Sequence, residues 1–285
     1  MGRARTVTRV VALLCLCNAV DGPRAVPPNA CEVAFAAHAW PAVLAACGAG
    51  TTGGARPRDR VQHAWAQFYL GHREQALAES TALADSSERA EARFLGGLLL
   101  TTRADPHRVD DGRRLLTDAL GLFVATANAA RAADAAAAQV PLALQQRRFD
   151  DALALARLAV GFASAAGDPG RHGSALMTLA ATYDAIGRAE EARDAFRAAA
   201  EMLEGRPAER AWVYFKYATF LLDLQTPVDA TAALAFLAAA ARNADRAAHD
   251  GQAERVADLA VAIPFNRAAG LSALGRDEEA LASLS

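Results

Sequence analysis

The chain has 285 residues, of which 53% are hydrophobic and only 6% aromatic, and its formal net charge is −2. Arginines and acidic residues are interspersed, so the sequence has no basic block. It has no aromatic platform either, and nucleic-acid binding is therefore not indicated. Alanine, the strongest helix former, dominates the apolar residues, and no alternating run rich in valine and isoleucine predicts a strand. The sequence therefore predicts an all-α protein with enough chain for a sizeable core.

Residues 1–19 are predicted to be a secretory signal peptide, and the mature protein is expected to be periplasmic or secreted. A start with three arginines precedes a short apolar run over residues 10–17, and small residues suit cleavage after Ala19. The apolar run is too short to span a bilayer. The alternative is a disordered basic start with one apolar turn. Residues 20–30 are rich in proline and are predicted to form a linker.

Residues 31–48 are predicted to form an N-terminal helical hairpin, with Trp40 and the proline after it at the turn into the second helix. Two antiparallel helices would return Cys47 to the neighbourhood of Cys31, so these cysteines are predicted to form a disulfide in an oxidising compartment. The alternative is a pair of buried free thiols. Residues 49–59 are rich in glycine and are predicted to be a flexible joint.

The remaining chain, residues 60–285, is predicted to be an array of helices joined by the short turns that antiparallel neighbours require. The helices are expected, to within a few residues, at 60–70, 73–84, 88–102, 108–123, 128–146, 149–166, 172–186, 189–203, 208–224, 228–248, 253–273 and 277–284. Residues 165–173 contain Gly167 and the pair Asp168-Pro169, and they are predicted to form a turn between two of these helices.

The stretch over residues 174–199 has two amphipathic helices separated by a glycine-arginine turn. Its spaced positions are Leu176, Leu179, Ala180, Tyr183, Gly187, Ala192, Phe196 and Ala199. This pattern resembles the signature of the tetratricopeptide repeat (TPR) family. The closing proline of that signature is replaced by Glu204, and Pro207 follows three residues later.

A small residue recurs after a turn at Ala76, near Gly112, and at Ala152, Ala192 and Ala280. The implied period is about 38–44 residues, which is longer than the 34 residues of the common TPR form. The resemblance extends from Cys31 to the C-terminus and implies a right-handed α-solenoid of antiparallel helix pairs with about six to seven repeats. The alternative is an irregular alanine-rich helical bundle.

The TPR resemblance also implies a binding surface, because in that family the first helix of each pair lines a concave groove for peptides. It places on that face Met177, Ala181, Asp184, Trp212, Phe215, Thr219, Phe265 and Asn266. The alternative is that the aromatic residues among them pack in the core. The carboxylate clamp of chaperone-binding TPR domains is not expected, because Lys216 is the only lysine and, together with Asn266, does not form one.

No motif indicates catalysis, a cofactor or a metal. The six histidines are scattered, the cysteines lack metal-ligand spacing, and there is neither a phosphate-binding glycine loop nor a GxSxG elbow. We therefore expect an exported non-catalytic scaffold that binds a protein or peptide. The alternatives are a sensory module of a larger enzyme, such as a caspase-like (CHAT-type) peptidase, and a small-molecule enzyme on a helical fold. Leu281 and Leu284 favour the sensory module, because no following helix would cover them.

Overall fold

The computed structural model describes residues 30–48, 55–101 and 106–284, and within those residues every regular element is a helix. The predicted signal peptide and nearly all of the predicted linker lie outside the described residues, as do residues 49–54 of the predicted joint. None of the described helices combines the length and the hydropathy that a bilayer span needs. The predicted all-α class is confirmed.

The helices form consecutive pairs along the chain. The bounds are α1 (Ala30–Ala36), α2 (Trp40–Gly48), α3 (Pro57–Tyr69), α4 (Arg73–Ala82), α5 (Arg89–Thr101), α6 (Pro106–Ala125), α7 (Ala129–Gln145), α8 (Phe149–Ala166), α9 (Pro169–Ala185), α10 (Ala189–Met202), α11 (Pro207–Asp223), α12 (Pro227–Ala247), α13 (Ala253–Val256), α14 (Leu259–Ala273) and α15 (Asp277–Ala282). Each first helix packs on its partner, on the second helix of the preceding pair and on the first helix of the next pair. This nearest-neighbour stacking is the arrangement of an α-solenoid.

The turn inside a pair places one residue in the left-handed backbone region. Glycine occupies this position at Gly71 (φ 83°), Gly187 (φ 76°) and Gly275 (φ 71°), where it adopts the conformation without strain. Arg147 and Gln225 occupy the equivalent position with φ 56° each, although they carry a Cβ. The turn therefore recurs even in the pairs whose sequence lacks the glycine.

A buried small residue recurs near the start of the second helix of each pair. From Ala76 onward these residues are 36, 40, 40 and 38 positions apart, namely Ala76, Gly112, Ala152, Ala192 and Ala230. The four alanines are at most 2% exposed. The next such residue, Ala280, comes 50 positions later, because a π-helical turn over Ala248–Gln252 and the short α13 are inserted before the last pair.

The N-terminal hairpin packs directly on α3. Val43 of α2 and Ala66 of α3 belong to one buried cluster, so α1 and α2 stack as the first pair of the array. The structure joins Cys31 to Cys47 by a disulfide, with their Cα atoms 5.1 Å apart. The existence of that bond in solution stays a prediction.

Several helix boundaries differ from the sequence expectation, and α3 begins at Pro57, inside the predicted joint over residues 49–59. The helix expected from residue 172 begins at Pro169, because the Asp168 carboxylate accepts hydrogen bonds from the backbone N–H groups of Gly170 and Arg171 and caps the helix there. The helix expected over 253–273 is divided into α13 and α14. The preceding π-helical turn contains Gly251 at φ 77°, which interrupts the regular helix that leads into this region.

Candidate functional site

The first helices α7, α9 and α11 enclose a cavity of about 340 Å³, which we call the central groove. Its apolar lining comes from three consecutive helix pairs and comprises Val140, Pro141, Leu144, Met177, Ala181, Phe196 and Phe220. Phe196 and Phe220 are 2% and 3% exposed, so their rings form a fixed floor that belongs to the core. The groove therefore offers an apolar depression on the surface that the first helices share.

Three charged side chains, Asp184, Lys216 and Asp223, line the same groove. Within the described residues none of the three forms an ion pair. Burial raises the pKa of Asp184, and the nearby charge of Asp223 raises it further. The Nζ atom of Lys216 lies 6.0 Å from the centre of the Phe215 ring. The groove thus combines an apolar floor with charges that have no ion-pair partner among the described residues.

Four of the eight residues expected in a binding groove meet in this cavity. Met177, Ala181 and Asp184 come from α9, where the spacings of four and three residues place them on one helical face. Thr219 joins them from α11. Its hydroxyl donates to the Phe215 carbonyl oxygen at 3.0 Å, which is one turn back along the helix.

The structure places the other four expected residues outside the lining of the central groove. Trp212 donates its indole N–H to the Arg255 carbonyl oxygen at 2.9 Å, so it links α11 to α13. Phe215 is 9% exposed and packs in the core cluster. Asn266 donates to the Thr219 hydroxyl at 2.9 Å and joins α14 to α11. Phe265 is 67% exposed on α14.

The sequence reading missed several residues of the groove. Lys216 and Asp223 flank Thr219 on α11 at spacings of three and four residues, so helical periodicity from one expected residue would have found both. Val140 and Leu144 of α7 show the same four-residue spacing. Their contribution could not be found in this way, because α7 lacks the TPR-like signature and its rotation depends on how the pairs stack.

A chain of alternating carboxylates and guanidinium groups, which we call the arginine ladder, runs along the first helices outside the central groove. Its members in order are Glu91, Arg131, Asp134, Arg171, Asp168, Arg206, Glu209 and Arg255. Between helix pairs, Arg171 Nε lies 2.9 Å from Asp134 and Arg255 Nη2 lies 3.1 Å from Glu209. The charges of the ladder are compensated within the protein, which distinguishes them from those of the central groove.

Glu209 shows the electrostatic consequence of this compensation. Burial opposes ionisation of its carboxyl group, but hydrogen bonds from Arg206 and Arg255 outweigh burial and lower the pKa of Glu209. The ladder therefore favours the ionised form of Glu209, and its ion pairs connect neighbouring helix pairs. Elsewhere in the described residues, no group of three histidine, cysteine or acidic side chains is arranged to hold a metal ion.

Comparisons with known proteins support the fold. No family model matches the sequence, and no curated protein matches it. Among the solved structures, the crystal structure of a Rap protein in complex with Competence and Sporulation Factor is similar, with a TM-score of 0.51 and 11% identity. The similarity covers 81% of this chain and 74% of the Rap chain. The chain therefore has a TPR-like helical-repeat fold, and the identity is too low to carry more than the fold.

Proposed function

We propose that this protein is a non-catalytic scaffold that binds a segment of a partner protein in the central groove. The ligand segment inserts an apolar side chain between α9 and α11, and its polar or charged neighbours meet Asp184, Lys216 and Asp223. The site offers shape, apolar contact and charge, and it lacks the paired nucleophile and base that would suggest a reaction.

The observation that carries this proposal is the contrast between the two sets of charges on the first helices. The charges of the arginine ladder are paired, whereas Asp184, Lys216 and Asp223 have no ion-pair partner in the described residues. Burial beside the apolar floor and the nearby charge of Asp223 raise the pKa of Asp184, and an ionised Asp184 therefore imposes an electrostatic cost on the free protein. A bound segment that supplies a compensating charge relieves this cost and so gains affinity.

The Rap structure supports the proposed role as a binding scaffold at the level of the fold. That protein was crystallised in complex with a second molecule, Competence and Sporulation Factor, so a fold of this type can serve as a binding scaffold. The extension of this property to the present chain is our proposal and rests on the geometry of the central groove.

The proposal is tested by selecting peptides from a displayed random library on the purified protein and measuring their affinities by fluorescence anisotropy. We expect the selected peptides to share an apolar residue with a charged neighbour. We expect Met177→Glu and the double variant Asp184→Asn, Asp223→Asn to weaken their binding about tenfold or more, because these changes alter the floor and the unpaired charges.

Asp150→Asn is the matched control, because Asp150 is an exposed carboxylate in the first turn of α8, the second helix of its pair, and forms no ion pair in the described part of the chain. It should leave the affinity unchanged. The proposal is wrong if no peptide is enriched, or if the selected peptides bind the groove variants as tightly as the unchanged protein.

A second candidate places the same array as the sensory module of a larger enzyme, such as a CHAT-type peptidase. It is favoured by the apolar side chains exposed on the last helix pair, which are Val261 (78%), Phe265 (67%) and Leu281 (72%). The two candidates are separated by the intact mass of the native protein. A mass near that of residues 20–285 supports the exported scaffold and cleavage after Ala19, whereas a much larger mass supports the sensory module.

A further inference from the structure

The hairpin α1–α2 and the first helices α3, α5 and α7 enclose a second cavity of about 520 Å³, which we call the N-terminal pocket. The hairpin contributes Phe35, His38 and Trp40 to its lining, and α3 contributes Trp65 and Tyr69. Charged groups of later pairs, among them Glu88, line the same pocket. It is distinct from the central groove, with which it shares no lining residue.

Aromatic rings form one wall of the N-terminal pocket. The ring of Trp40 stacks between those of His38 and Tyr69, with centroid distances of 5.2 Å and 4.3 Å. Trp65 continues the stack at 5.9 Å from Tyr69. Tyr69 nevertheless remains 54% exposed. A wall of this kind accommodates cationic side chains, as the guanidinium carbon of Arg131 shows by lying 5.2 Å from the centre of the Trp65 ring.

Two polar groups of the pocket lack partners within the described residues. Trp65 is 5% exposed, and its indole N–H has no hydrogen-bond acceptor. The Glu88 carboxylate forms no ion pair. A buried donor without an acceptor is costly, so a ligand that brings an acceptor oxygen is favoured there.

The cations of the pocket, in contrast, all have carboxylate partners. Arg131 bonds to Glu91, with Nε at 2.6 Å from a carboxylate oxygen, and also to Asp134. Arg171 bonds to the same Asp134 at 2.9 Å. Arg58 lies 3.6 Å from Glu32. The charge still available to a ligand is therefore the negative charge of Glu88.

We propose that the N-terminal pocket binds a basic side chain of a peptide. The guanidinium or ammonium group pairs with Glu88 beside the aromatic wall, and a main-chain carbonyl oxygen of the peptide accepts the hydrogen bond that Trp65 offers. An arginine or lysine residue within a peptide supplies both the cation that pairs with Glu88 and the carbonyl oxygen that accepts from the Trp65 indole N–H. A simple anion would leave Glu88 unpaired, and an apolar ligand would leave both groups unpaired.

The pocket also depends on the hairpin that supplies three of its aromatic side chains. The Cys31–Cys47 disulfide closes α1 against α2, and Cys31 and Cys47 are 3% and 2% exposed in the cluster that seats the hairpin on α3. Loss of this link would loosen Phe35, His38 and Trp40 relative to α3, and ligand affinity would fall accordingly.

The test uses the full chain with Trp212→Phe, so that Trp40 and Trp65 remain as its two tryptophans. Their fluorescence is titrated with acetyl-glycyl-arginyl-glycinamide and with the same peptide carrying citrulline, which is nearly isosteric and uncharged. We expect the arginine peptide to bind about tenfold or more tightly than the citrulline peptide, as a charge-assisted hydrogen bond predicts.

Three variants assign the binding to the pocket. Glu88→Gln should remove the preference for arginine, whereas Glu278→Gln, an exposed carboxylate on α15, should retain it. The double variant Asp184→Asn, Asp223→Asn should also retain it, because the central groove is a separate site. Equal binding of the two peptides, no binding, or a preference insensitive to Glu88→Gln would overturn the proposal and leave the central groove untouched.

The disulfide is tested on the same protein. In a chain with Cys15→Ser and Cys17→Ser, whose remaining cysteines are Cys31 and Cys47, intact masses with and without reductant should differ by two hydrogens. The further double change Cys31→Ser, Cys47→Ser should weaken binding of the arginine peptide. Identical masses with both thiols open to alkylation would exclude the bond, and equal affinity would exclude its role in the pocket.

Discussion

The close contact between α5 and α6 leads to a prediction about Gly112. A Cβ added at Gly112 would lie 2.7 Å from Thr101 Cγ2, 3.0 Å from the Gly97 carbonyl oxygen and 3.0 Å from Leu100 Cβ. Carbon atoms in favourable contact are about 3.5–4.0 Å apart. The Thr101 methyl could rotate away, but the Gly97 oxygen belongs to the backbone, so Gly112→Ala must push the two helices apart.

The size of the effect follows from two opposing contributions. Overpacking a close helix contact costs about 1–3 kcal/mol, and replacing glycine by alanine inside a helix contributes about 1 kcal/mol of stability. Gly121 lies in the same helix, is exposed and has no atom within 4 Å of its added Cβ. Gly121→Ala should therefore stabilise by about 1 kcal/mol, and the difference between the two variants should equal the overpacking cost alone.

The assay is urea unfolding followed by far-ultraviolet circular dichroism, with the transition midpoints and slopes of the two variants compared with those of the unchanged protein. We expect Gly121→Ala to shift the midpoint upward and Gly112→Ala to shift it downward relative to Gly121→Ala. Because neighbouring pairs of a solenoid can unfold in steps, the earliest transition is the relevant one. If the two variants have the same stability, α5 and α6 do not approach as closely as the structure shows.

Three further predictions follow from single positions. Ala192→Trp should lower stability by about 1–3 kcal/mol or more, since Ala192 is fully buried between helices, and an unchanged melting temperature would argue against its register. Gln225→Gly should raise the melting temperature, because it relieves left-handed backbone strain of about 1 kcal/mol, and a lower melting temperature would contradict this. Asp184→Asn should stabilise the protein at pH 7, because burial and the charge of Asp223 raise the pKa of Asp184 in the folded state. A carboxyl group whose pKa is raised on folding favours the folded state below its unfolded pKa and loses that contribution as pH rises through the folded pKa. The stabilisation by Asp184→Asn should therefore disappear on acidification, and an advantage that persists in acid would contradict the assignment.

The repeat could be read from the sequence because its determinants are local. A glycine in the left-handed region and an alanine five residues later mark the pairs at Gly71, Gly187 and Gly275, and the structure places each alanine in the core. The pairs at Arg147 and Gln225 form the same turn without glycine. The sequence predicts these two pairs through their spacing and helical periodicity. Their turns form without glycine because the packing of neighbouring pairs overrides the local preference of a single turn residue.

The residues of the candidate sites could be predicted from the sequence only in part. The TPR resemblance assigned Met177, Ala181 and Asp184 to one face, and all three line the central groove, while their role in binding stays a prediction. Trp212 and Phe215 lie on α11, and the rotation of this helix about its axis is set by its packing against α12 and α13. No local sequence pattern predicts that rotation. The N-terminal pocket was missed because its walls come from residues as distant as Phe35 and Arg171, whose proximity is created by stacking.

The irregular segment before the last pair was missed for a different reason. The composition of residues 248–258 is as favourable to helix as that of its neighbours, apart from Gly251. The sequence therefore predicted one helix after a short turn, whereas the backbone passes through a π-helical turn and the short α13. Such interruptions depend on how the flanking helices pack, which single-sequence periodicity does not report.

The position of the single lysine has a chemical consequence. Lys216 is exposed and lines the central groove, and all other basic side chains apart from the histidines are arginines. An amine-reactive reagent therefore has one side-chain target in the whole protein, and that target stands at the proposed binding surface. Protection of this amine reports occupancy of the groove directly, and a short cross-linker attached there joins the protein covalently to whatever segment lies in the groove.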